Sequence, residues 1–515
     1  MACHIEYLPD EILEHILNLI PPYKDLKECM LVCKRWYHAV KHVIEHRESY
    51  FQRSVAYGSL LWDALPTDER LPSISKRHSH SACAYENSMY IFGGCTKTGT
   101  TFNDLWKLDL DTRKWERPIP MGNYPSPKAC ASMVYYKKSF ILFGGWAHPP
   151  SYPLFEVRKL FSELHIYSIT ANKWTAIETL NSPPATCAHS ASVHDNIMVV
   201  FGGISDFLRS SNNIWCFNLD THSWYQQSTP DPKPQPRYGH SQIPLNDKNL
   251  LILGGCTAPN VGIDDVWLLN MSNPDWTWTK IKISGNEWAP MMIWCHPACK
   301  VGDNIIILSK RKTKNQNKER STSERVMCYG PVAFVDNCKQ PEVKRNIPVE
   351  QHNVPENRQR HLPPGSSTDR HRPRQRVRIV VERNNWNGPM AAFHPDHGVN
   401  RIGLNRLKLL DDIYKINEEY RRRNERKKIV NGLSIFVLNI ANVLCEDRIA
   451  TWVKQSKCAQ KGPEERILYS FILGKGELIF FGGMKRVLVT NGHTESDSSE
   501  VFNDVHFLNP PRYTI

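Results

Sequence analysis

The chain has 515 residues, of which 65 are Lys or Arg and 52 are Asp or Glu. This length is sufficient for two or more domains, and no apolar run approaches the roughly 18 residues that a membrane-spanning helix needs, so we expect no contact with a membrane. The 15 cysteines show no framework spacing, and the first residues lack the layout of a signal peptide. Free thiols and a cytoplasmic or nuclear location are therefore expected.

The first 49 residues predict a small unit of three helices. An acidic turn after Pro9 is a typical helix start, because acids complement the helix dipole. A double proline ends this helix near residue 21, a second helix is predicted from Asp25, and a third spans 33–47. A unit this short cannot bury all of its apolar residues by itself, which indicates a docking partner.

The order of apolar residues in this unit resembles the F-box. The pattern is Leu-Pro-x-Glu-Ile-Leu-x-x-Ile-Leu at 8–17, followed by Leu-Val-Cys-Lys-Arg-Trp at 31–36. The resemblance implies a helical module that binds the Skp adaptor of a cullin-based ubiquitin ligase. The adaptor-facing residues that it implies are Leu8, Pro9, Ile12, Leu13, Ile16, Leu17, Leu31, Val32, Cys33 and Trp36. The alternative is that these residues pack an ordinary three-helix core. Residues 50–58 are predicted to form a short linker.

From residue 59 onward, the chain repeats a hydrophobic residue followed by two glycines. Each copy ends a short apolar run, which predicts a buried strand, and the double glycine permits a positive φ or a close backbone approach. A period of about 50 residues is typical of propeller blades with four antiparallel strands. The copies are Phe92-Gly93-Gly94, Phe143-Gly144-Gly145, Phe201-Gly202-Gly203, Leu253-Gly254-Gly255 and Phe481-Gly482-Gly483.

Two further markers keep the same period. A marker residue, usually basic, lies 16 or 17 positions before each first glycine: Arg77, Lys128, Thr186, Arg237 and Arg466. A tryptophan closes each unit: Trp115, Trp174, Trp224, and either Trp276 or Trp278. With this spacing the repeat resembles the Kelch repeat, which implies an all-β propeller.

The gap before the last copy hides a degenerate fifth blade. Its second strand is expected at 304–308, with Ser309-Lys310 in place of the glycine pair, and its third strand at 434–438. Residues 311–431 then form an insert in one loop of blade five, and Trp452 closes that blade. The last blade lacks a closing tryptophan of its own, so a strand at 60–65 with Trp62 is predicted to complete it and to hide the strand edges. The predicted fold is a small all-α F-box plus an all-β six-bladed Kelch propeller over 59–515.

The insert carries the charge of the chain. Residues 310–428 contain 28 basic and 14 acidic residues, whereas the rest of the chain contains 37 basic and 38 acidic residues. This composition predicts disorder over most of the insert, with a helix at 405–428. Three roles stay open: a solvated loop, a nuclear import signal, or a contact with an acidic partner or nucleic acid. Nucleic acid is disfavoured, because the basic runs hold almost no aromatic residues that could stack on bases.

No catalytic motif is recognised in the sequence. His80, His189, His240 and His296 each lie three residues after a marker position, and this recurrence favours a structural role. Cys295-His296-x-x-Cys299 has the spacing of half a zinc site but lacks a second half, so we expect it in the core. There is no nucleophile elbow, phosphate-binding glycine loop or metalloprotease motif. We therefore expect no cofactor, no metal and no enzymatic activity.

One face of the propeller is the predicted binding surface. The loops between strands two and three and those between blades lie on one face of such a fold, and binding sites usually lie on long loops. Aromatic and Arg side chains there are of the types enriched in binding hot spots. The predicted substrate-binding residues are Arg77, Lys128, Trp146, His148, Tyr152, Phe207, Arg209 and Arg237. The alternative for Arg77 and Arg237 is that they only tie neighbouring blades together.

An F-box followed by a Kelch propeller resembles the F-box/Kelch substrate receptors. The resemblance implies a non-catalytic subunit of an SCF-type ubiquitin ligase, in which the F-box binds the Skp adaptor and, through it, a cullin. The propeller loops would hold a target protein for ubiquitination. A Kelch scaffold whose N-terminal helices dimerise is the alternative. A copper-radical Kelch oxidase is disfavoured, because the required Tyr, His and Cys cluster is not recognised.

Overall fold

The computed structural model describes residues 5–66, 70–148, 159–205, 209–258, 261–291, 293–310, 325–326, 432–454, 462–485, 488–489 and 500–511. The predicted insert 311–431, with its helix at 405–428, lies outside these residues except for the short strand Arg325–Val326. In the described part, no helix is both long and apolar enough to cross a membrane.

Three α-helices form the N-terminal unit, as predicted. They are α1 (Asp10–Leu19), α2 (Lys24–Cys29) and α3 (Lys34–Ala56), preceded by the 3-10 turn Ile5–Tyr7. Leu13 and Leu17 lie one turn apart on α1 and are completely buried. Their partners in this helical core are Leu26, Ala39, Val40 and Val43.

The third helix is longer than predicted. The sequence indicated an end near Arg47 and a linker over 50–58, but α3 continues to Ala56. Phe51 and Val55 in its last turns are buried in a cluster with residues of blades five and six. Burial against the propeller therefore extends the helix, and the expected linker is part of the joint between the two units.

The rest of the described chain forms six antiparallel four-stranded sheets, which are the six predicted blades. The first strand of each blade lines a central channel and adjoins the first strands of both neighbours. From the channel outward, the strands of blade one are Ser81–Tyr85, Ser88–Phe92, Leu105–Asp109 and Lys114–Glu116, and those of blade two are Ser132–Tyr136, Ser139–Phe143, Leu164–Ser168 and Lys173–Ala176. Blade three consists of Ser190–His194, Ile197–Phe201, Ile214–Asn218 and Ser223–Gln227, and blade four of Ser241–Asn246, Asn249–Leu253, Val266–Asn270 and Thr277–Lys280. Blade five consists of Ala298–Val301, Asn304–Ser309, Ser434–Asn439 and Ile449–Trp452, and blade six of Ser470–Leu473, Leu478–Phe481, Val505–Asn509 and Leu61–Ala64.

Short strands in the connecting segments complete the described secondary structure. Met121–Gly122 and Lys282–Ser284 add parallel edges to blades two and five. The two-stranded ribbons are Trp146–Ala147 with Lys159–Leu160, Cys256–Ala258 with Val261–Gly262, Arg466–Ile467 with Met484–Lys485, and Arg325–Val326 with Leu488–Val489. A 3-10 turn spans Asn286–Trp288.

Six residues with left-handed backbones form a closed hydrogen-bonded ring around the channel. Each lies two positions after the marker position of its blade, and its N–H donates to the carbonyl of the equivalent residue in the preceding blade at 2.8–3.1 Å. Their φ angles lie between 51° and 61°. The members are Ser79, Cys130, Ala188, Gly239, Cys295 and Leu468, and Ser79 donates to Leu468 to close the circuit. Blade five is therefore an equal member of the ring, although it lacks the glycine pair.

One tryptophan closes each blade in the same register. It lies on the outermost strand, directly opposite an apolar residue of the third strand. The pairs are Leu108–Trp115, Tyr167–Trp174, Phe217–Trp224, Leu269–Trp278, Leu438–Trp452 and Leu508–Trp62. Trp278, and not Trp276, is therefore the closing residue of blade four. The pairing of Leu61–Ala64 with the last strand joins the two ends of the propeller sequence.

These tryptophans also pack on the preceding blade. In four cases the indole contacts the Phe that comes directly before a glycine pair, with ring centroids about 5 Å apart, a separation typical of favourable aromatic pairs. The pairs are Trp174–Phe92 at 5.3 Å, Trp224–Phe143 at 4.9 Å, Trp278–Phe201 at 5.2 Å and Trp115–Phe481 at 5.2 Å. The closing tryptophan of one blade therefore meets the Phe-Gly-Gly segment of the preceding blade at the junction between them.

Candidate protein-binding surfaces

The helical unit exposes an apolar surface although its own core is complete. On α1, Ile12 is 47% and Ile16 is 36% exposed, and the two lie one turn apart. In the connection between α2 and α3, Leu31 is 85% and Val32 is 61% exposed. Exposure of several large apolar side chains on one small unit is typical of surfaces that a partner covers. We call these four residues the helical apolar surface.

The ten residues predicted to face an adaptor separate into three groups. Leu13 and Leu17 are completely buried in the helical core, so they support the surface from within and do not form it, which corrects their expected role. Leu8 and Trp36 are partly buried. The exposed members are Pro9, Ile12, Ile16, Leu31, Val32 and Cys33.

Sequence reasoning missed one apolar residue on this side of α1. Leu19 is 73% exposed. It lies seven residues after Ile12, which places it on the same helix face. The seven-residue spacing from Ile12 was the sequence signal that could have identified Leu19 as a surface residue.

Arg77 ties blade six to blade one. Its side chain is fully buried and pairs with Asp104, Nη1 to Oδ1 at 2.7 Å and Nη2 to Oδ2 at 2.9 Å. Nη1 also donates to the carbonyl of Gly93 at 3.0 Å, again in blade one. The Arg77 backbone instead bonds blade six, donating to the carbonyl of Phe502 and accepting from Gly483, both at 3.0 Å.

The same cation–acid pair recurs at other blade junctions. In each case the acid lies just before the third strand of the blade whose marker it binds. The pairs are Lys128–Glu163 at 2.6 Å, Arg237–Asp265 at 2.6 Å and Arg466–Asp504. The junctions are too close for a larger residue than glycine, because a Cβ at Gly93, whose φ is 66°, would lie 2.5 Å from the carbonyl oxygen of Lys128.

Two of these acids, Asp104 and Asp504, keep their charge in spite of partial burial. Burial raises the pKa of Asp504, but hydrogen bonds from His506 and Arg466 outweigh this effect and hold the pKa at about 2. Burial likewise opposes the ionisation of Asp104, and the hydrogen bonds and charge of Arg77 outweigh it, so that the pKa of Asp104 is lowered. Asp104 and Asp504 are therefore ionised at neutral pH.

Arg77, Lys128 and Arg237 are therefore not substrate contacts. Their side chains have no exposed surface. A buried cation must keep its acid partner, because an unpaired buried charge is strongly unfavourable. The burial of these three side chains contradicts the prediction that they line the binding surface, and it agrees with the alternative for Arg77 and Arg237, that they tie neighbouring blades together; no such alternative was foreseen for Lys128.

The other residues predicted for the loop face fall in different environments. Trp146 is 3% exposed and packs with residues of all six blades in an apolar cluster at the loop end of the channel, so it is not the surface anchor that was expected. His148 is partly buried and packs edge-on against Trp146, with ring centroids 4.9 Å apart. Arg209 is exposed. Tyr152 and Phe207 lie outside the described residues.

The recurrent histidines join the first strands of adjacent blades. In three of the four, Nε2 lies within hydrogen-bond distance of a serine hydroxyl in the preceding blade: His80 with Ser470 at 3.0 Å, His189 with Ser132 at 2.9 Å and His240 with Ser190 at 2.5 Å. Burial lowers the pKa of His189 to about 4, and burial together with the charge of Arg237 lowers the pKa of His240 to about 3. Both rings are therefore neutral at pH 7.

The Cys-His-x-x-Cys segment has partners of its own. His296 Nδ1 lies 2.6 Å from the carbonyl oxygen of Trp294, and Cys299 Sγ lies 3.1 Å from the carbonyl oxygen of Phe471. Cys299 and His296 are both buried. Within the described ranges, no group of three or more His, Cys, Asp or Glu side chains is arranged to hold a metal ion.

Comparison with known proteins accounts for both units. A family model described as F-box-like matches residues 5–47, and a model described as FBX42, beta-propeller domain, matches residues 77–276. Kelch domain-containing protein 3 of Rattus norvegicus is 29% identical over 45% of this chain and 60% of its own length. The protein is an F-box/Kelch protein. The match to the FBX42 propeller agrees with the resemblance of the sequence to F-box only protein 42, which pairs one F-box with Kelch repeats.

Other relatives match the Kelch repeats in the same way. Kelch domain-containing protein 3 of Homo sapiens is 28% identical over 48% of this chain and 66% of its own length. Host cell factor homolog hcf-1 of Caenorhabditis elegans is 27% identical over 45% of this chain and 33% of its own. The match to the first relative therefore spans about three fifths of its length. A solved structure titled "Structure of YjhT" aligns with 84% of this chain and 99% of its own at 12% identity and a TM-score of 0.44.

The F-box lies at the end of the Kelch propeller that is opposite to the long loops. The backbone N–H of Lys24 donates to Asp111 Oδ2 at 3.3 Å, and Asp111 lies in the turn between strands three and four of blade one. Gln52 of α3 lies against Gly302, in the turn between strands one and two of blade five. In antiparallel blades these turns share one end, and the loops between strands two and three lie at the other. The F-box helices and the loop face therefore lie at opposite ends of the propeller.

Proposed function

We propose that this F-box/Kelch protein is the substrate-recognition subunit of an SCF-type ubiquitin ligase. Its F-box binds the Skp adaptor and, through it, a cullin. The loop face of its propeller binds a target protein for ubiquitination. The chain itself performs no chemistry, because holding a target lysine near a ubiquitin carrier raises the effective concentration of the reacting groups.

The observation that carries this proposal is the helical apolar surface. Leu31 and Val32 are adjacent and more than half exposed, although the neighbouring helical core buries Leu13, Leu17 and Leu26 completely. A folded unit that completes its core and still presents such residues has a surface suited to an apolar partner. The F-box-like match over residues 5–47 supports the Skp adaptor as that partner.

The position of the F-box supports two simultaneous partners. An adaptor on the helices and a target on the loops would occupy opposite ends of the propeller and would not compete. The target surface would be built from loop residues other than the buried blade-linking cations, with the exposed Arg209 and the partly buried His148 as candidates. Such a ligase subunit would work in the cytoplasm, the nucleus or both.

Co-purification tests the proposal. The intact protein, expressed with a tag, is expected to retain the Skp adaptor and a cullin, and the double variant Ile12→Asp, Leu31→Asp is expected to retain neither. This pair of changes is preferred to changes at Leu13 or Leu17, because those residues hold the helical core together. Proteins that co-purify with both the wild type and the double variant would be candidate targets of the loop face.

A Kelch scaffold is the alternative, in which the same helical apolar surface pairs with a second copy of the chain. The mass of the purified protein distinguishes the two functions. A dimer that dissociates in the Ile12→Asp, Leu31→Asp variant, with no adaptor bound by the wild type, would favour the scaffold. A monomer that forms a complex with the adaptor would favour the receptor.

A further inference from the structure

A buried polar cluster joins the F-box to two blades of the propeller. Tyr23, just before α2, has no exposed surface, and its hydroxyl donates to Glu477 Oε1. Glu477 lies immediately before the second strand of blade six and is also buried. Arg113, in a turn of blade one, donates to both oxygens of the same carboxylate, Nη1 to Oε1 at 2.9 Å and Nη2 to Oε2 at 2.8 Å. One carboxylate thus receives hydrogen bonds from the F-box and from blade one.

The surroundings fix the members of this cluster in place. The guanidinium carbon of Arg113 lies 3.8 Å above the ring of Phe507, a cation–π contact. A Cβ at Gly474 would lie 3.1 Å from the Tyr23 hydroxyl oxygen, so the glycine leaves room for the hydroxyl. Burial and the Glu477 carboxylate both raise the pKa of Tyr23, so the phenol stays protonated and remains a donor.

The remaining contacts between the two units define an orientation less closely. Phe51 and Val55 at the end of α3 pack in an apolar cluster with the propeller, and apolar burial is not directional. Single hydrogen bonds also run from the Lys24 N–H to Asp111 Oδ2 at 3.3 Å and from the Tyr50 hydroxyl to the Pro511 carbonyl at 2.9 Å, but the first is exposed and the second only partly buried. Tyr23 provides a second attachment, 28 residues earlier in the chain, through hydrogen bonds whose strength depends on geometry. Tyr23 packs with propeller residues such as Ile74 and Met89 and is not a member of the helical core.

We infer that Tyr23, Glu477 and Arg113 are positioning residues that hold the F-box at one orientation on the propeller. Resting on the proposed function, this fixed orientation would set the distance between the adaptor-bound carrier and the target on the loop face. Small misplacements of reacting groups can reduce rates by roughly a hundredfold, so a pivoting F-box would be a poorer receptor even if it bound both partners.

Distance measurements test the inference in the protein alone. Spin labels are placed at His15 on α1 and at Thr175 on the outer strand of blade two, both exposed. They are introduced as non-canonical amino acids, because the native Cys33 and Cys445 are exposed and would also react with thiol labels. Pulsed dipolar spectroscopy then gives the distribution of the label-to-label distance in the wild type, in Tyr23→Ala and in Tyr23→Phe. Tyr57→Phe, which removes the hydroxyl of an exposed tyrosine near the end of α3, is the matched control.

The expected result is one narrow distribution in the wild type and in Tyr57→Phe. Tyr23→Ala should broaden it at least about twofold, with Tyr23→Phe between the two, because a freed domain samples several orientations. Adaptor binding by Tyr23→Ala should be unchanged, since the helical core is intact. An unchanged distribution in Tyr23→Ala would overturn the inference. So would loss of adaptor binding with a narrow distribution, because Tyr23 would then act at the adaptor surface. Failure of the wild type to bind an adaptor would defeat the proposed function and leave the distance result standing.

Discussion

Trp62 lies directly opposite Leu508 in the antiparallel strand pair that closes the propeller. The two residues are separated by almost the whole chain, yet they occupy the same register as Trp115 and Leu108 within blade one. The last blade therefore depends on a strand that follows the F-box directly. Closure of the ring therefore depends on four residues, Leu61–Ala64, which follow α3 of the F-box after a short connection.

Replacement of Trp62 by Ala should destabilise the whole propeller. Loss of a large packed aromatic side chain lowers the free energy of unfolding by about 3–5 kcal/mol in a core, and by about 2–3 kcal/mol at this half-buried site. Denaturant unfolding followed by tryptophan fluorescence measures the change. Trp288→Ala, at an exposed tryptophan outside the blades, should change the free energy by less than about 1 kcal/mol. Equal effects of the two substitutions would contradict the closing role of Trp62.

Arg77→Met should be strongly destabilising. It would leave the largely buried Asp104 carboxylate without its cation, and breaking a buried pair lowers stability by about 3–5 kcal/mol. Arg77→Lys should also be destabilising, because an ammonium cannot make the two parallel hydrogen bonds. Lys137→Met breaks an exposed pair with Asp220 and serves as the control, with an expected change below about 1 kcal/mol. A substrate-binding role for Arg77 would instead predict normal stability with weakened target binding.

Acid should weaken the propeller through its buried histidines. His189 and His240 have folded pKa values of about 4 and about 3, below the ordinary value of 6.5, so the unfolded chain takes up protons first as the pH falls. The free energy of unfolding should therefore decrease below pH 6.5, by about 2 kcal/mol per histidine between pH 7 and pH 5. Urea unfolding at the two pH values measures this difference. The His240→Gln variant should lose about 2 kcal/mol of the pH dependence, and His15→Gln, at an exposed site, controls for the substitution itself. An unaltered pH dependence in His240→Gln would refute this explanation.

Leu13→Ala should destabilise the F-box much more than Ile12→Ala, although the two residues are neighbours. Leu13 is completely buried, so its truncation should destabilise the helices by about 3 kcal/mol. Ile12 is half exposed, and its truncation should change stability by less than about 1 kcal/mol. Hydrogen exchange of the α1 and α3 amides, with the blade amides as an internal reference, measures both. Faster hydrogen exchange of the helix amides in Ile12→Ala than in Leu13→Ala would contradict the assignment of Leu13 to the helical core and of Ile12 to the surface.

The blade count could be read from the sequence because its signals are local. A glycine pair and a closing tryptophan each identify one blade. Trp62 and Trp452 lie 15 and 14 residues before the marker residue of the next blade, Arg77 and Arg466, although each is distant in sequence from other strands of its own blade. Blade five lacked the glycines and carries an insertion before its third strand, but its second strand had the expected length and position. The structure agrees, because Asn304–Ser309 and Ser434–Asn439 pair directly across the insertion.

The role of the marker cations could not be read from position alone. Sequence register places Arg77 at the loop end of a strand but does not say whether its side chain points out to solvent or in to the blade. The missing signal was the acid before each third strand: Asp104, Glu163, Asp265 and Asp504 follow their cations in four blades. An acid that recurs with the same period as the marker cation indicates an ion pair within each blade. We would then expect the side chain of the cation to turn toward that acid in the blade and not toward solvent.

The length of α3 and the burial of Leu13 and Leu17 could not be predicted for a different reason. The length of α3 depends on Phe51 and Val55 being buried by blades five and six, which is a tertiary contact. On α1, the apolar residues cover two faces, and only packing against Val40 and Val43 decides that Leu13 and Leu17 are inside. An apolar pattern wider than one helix face indicates that the helix has two contact surfaces, but it does not show which residues face the core and which face a partner.

The affinity of the purified protein for the recombinant Skp adaptor tests the central claim most directly. The wild type should bind, and the variant Ile12→Asp, Leu31→Asp should bind at least about a hundredfold more weakly while unfolding at the same temperature, because a charge in an apolar contact is not compensated. Ile119→Asp, at an equally exposed apolar residue of the propeller, should bind like the wild type. A wild type that does not bind the adaptor, or a stable double variant that binds it as tightly as the wild type, would contradict the account.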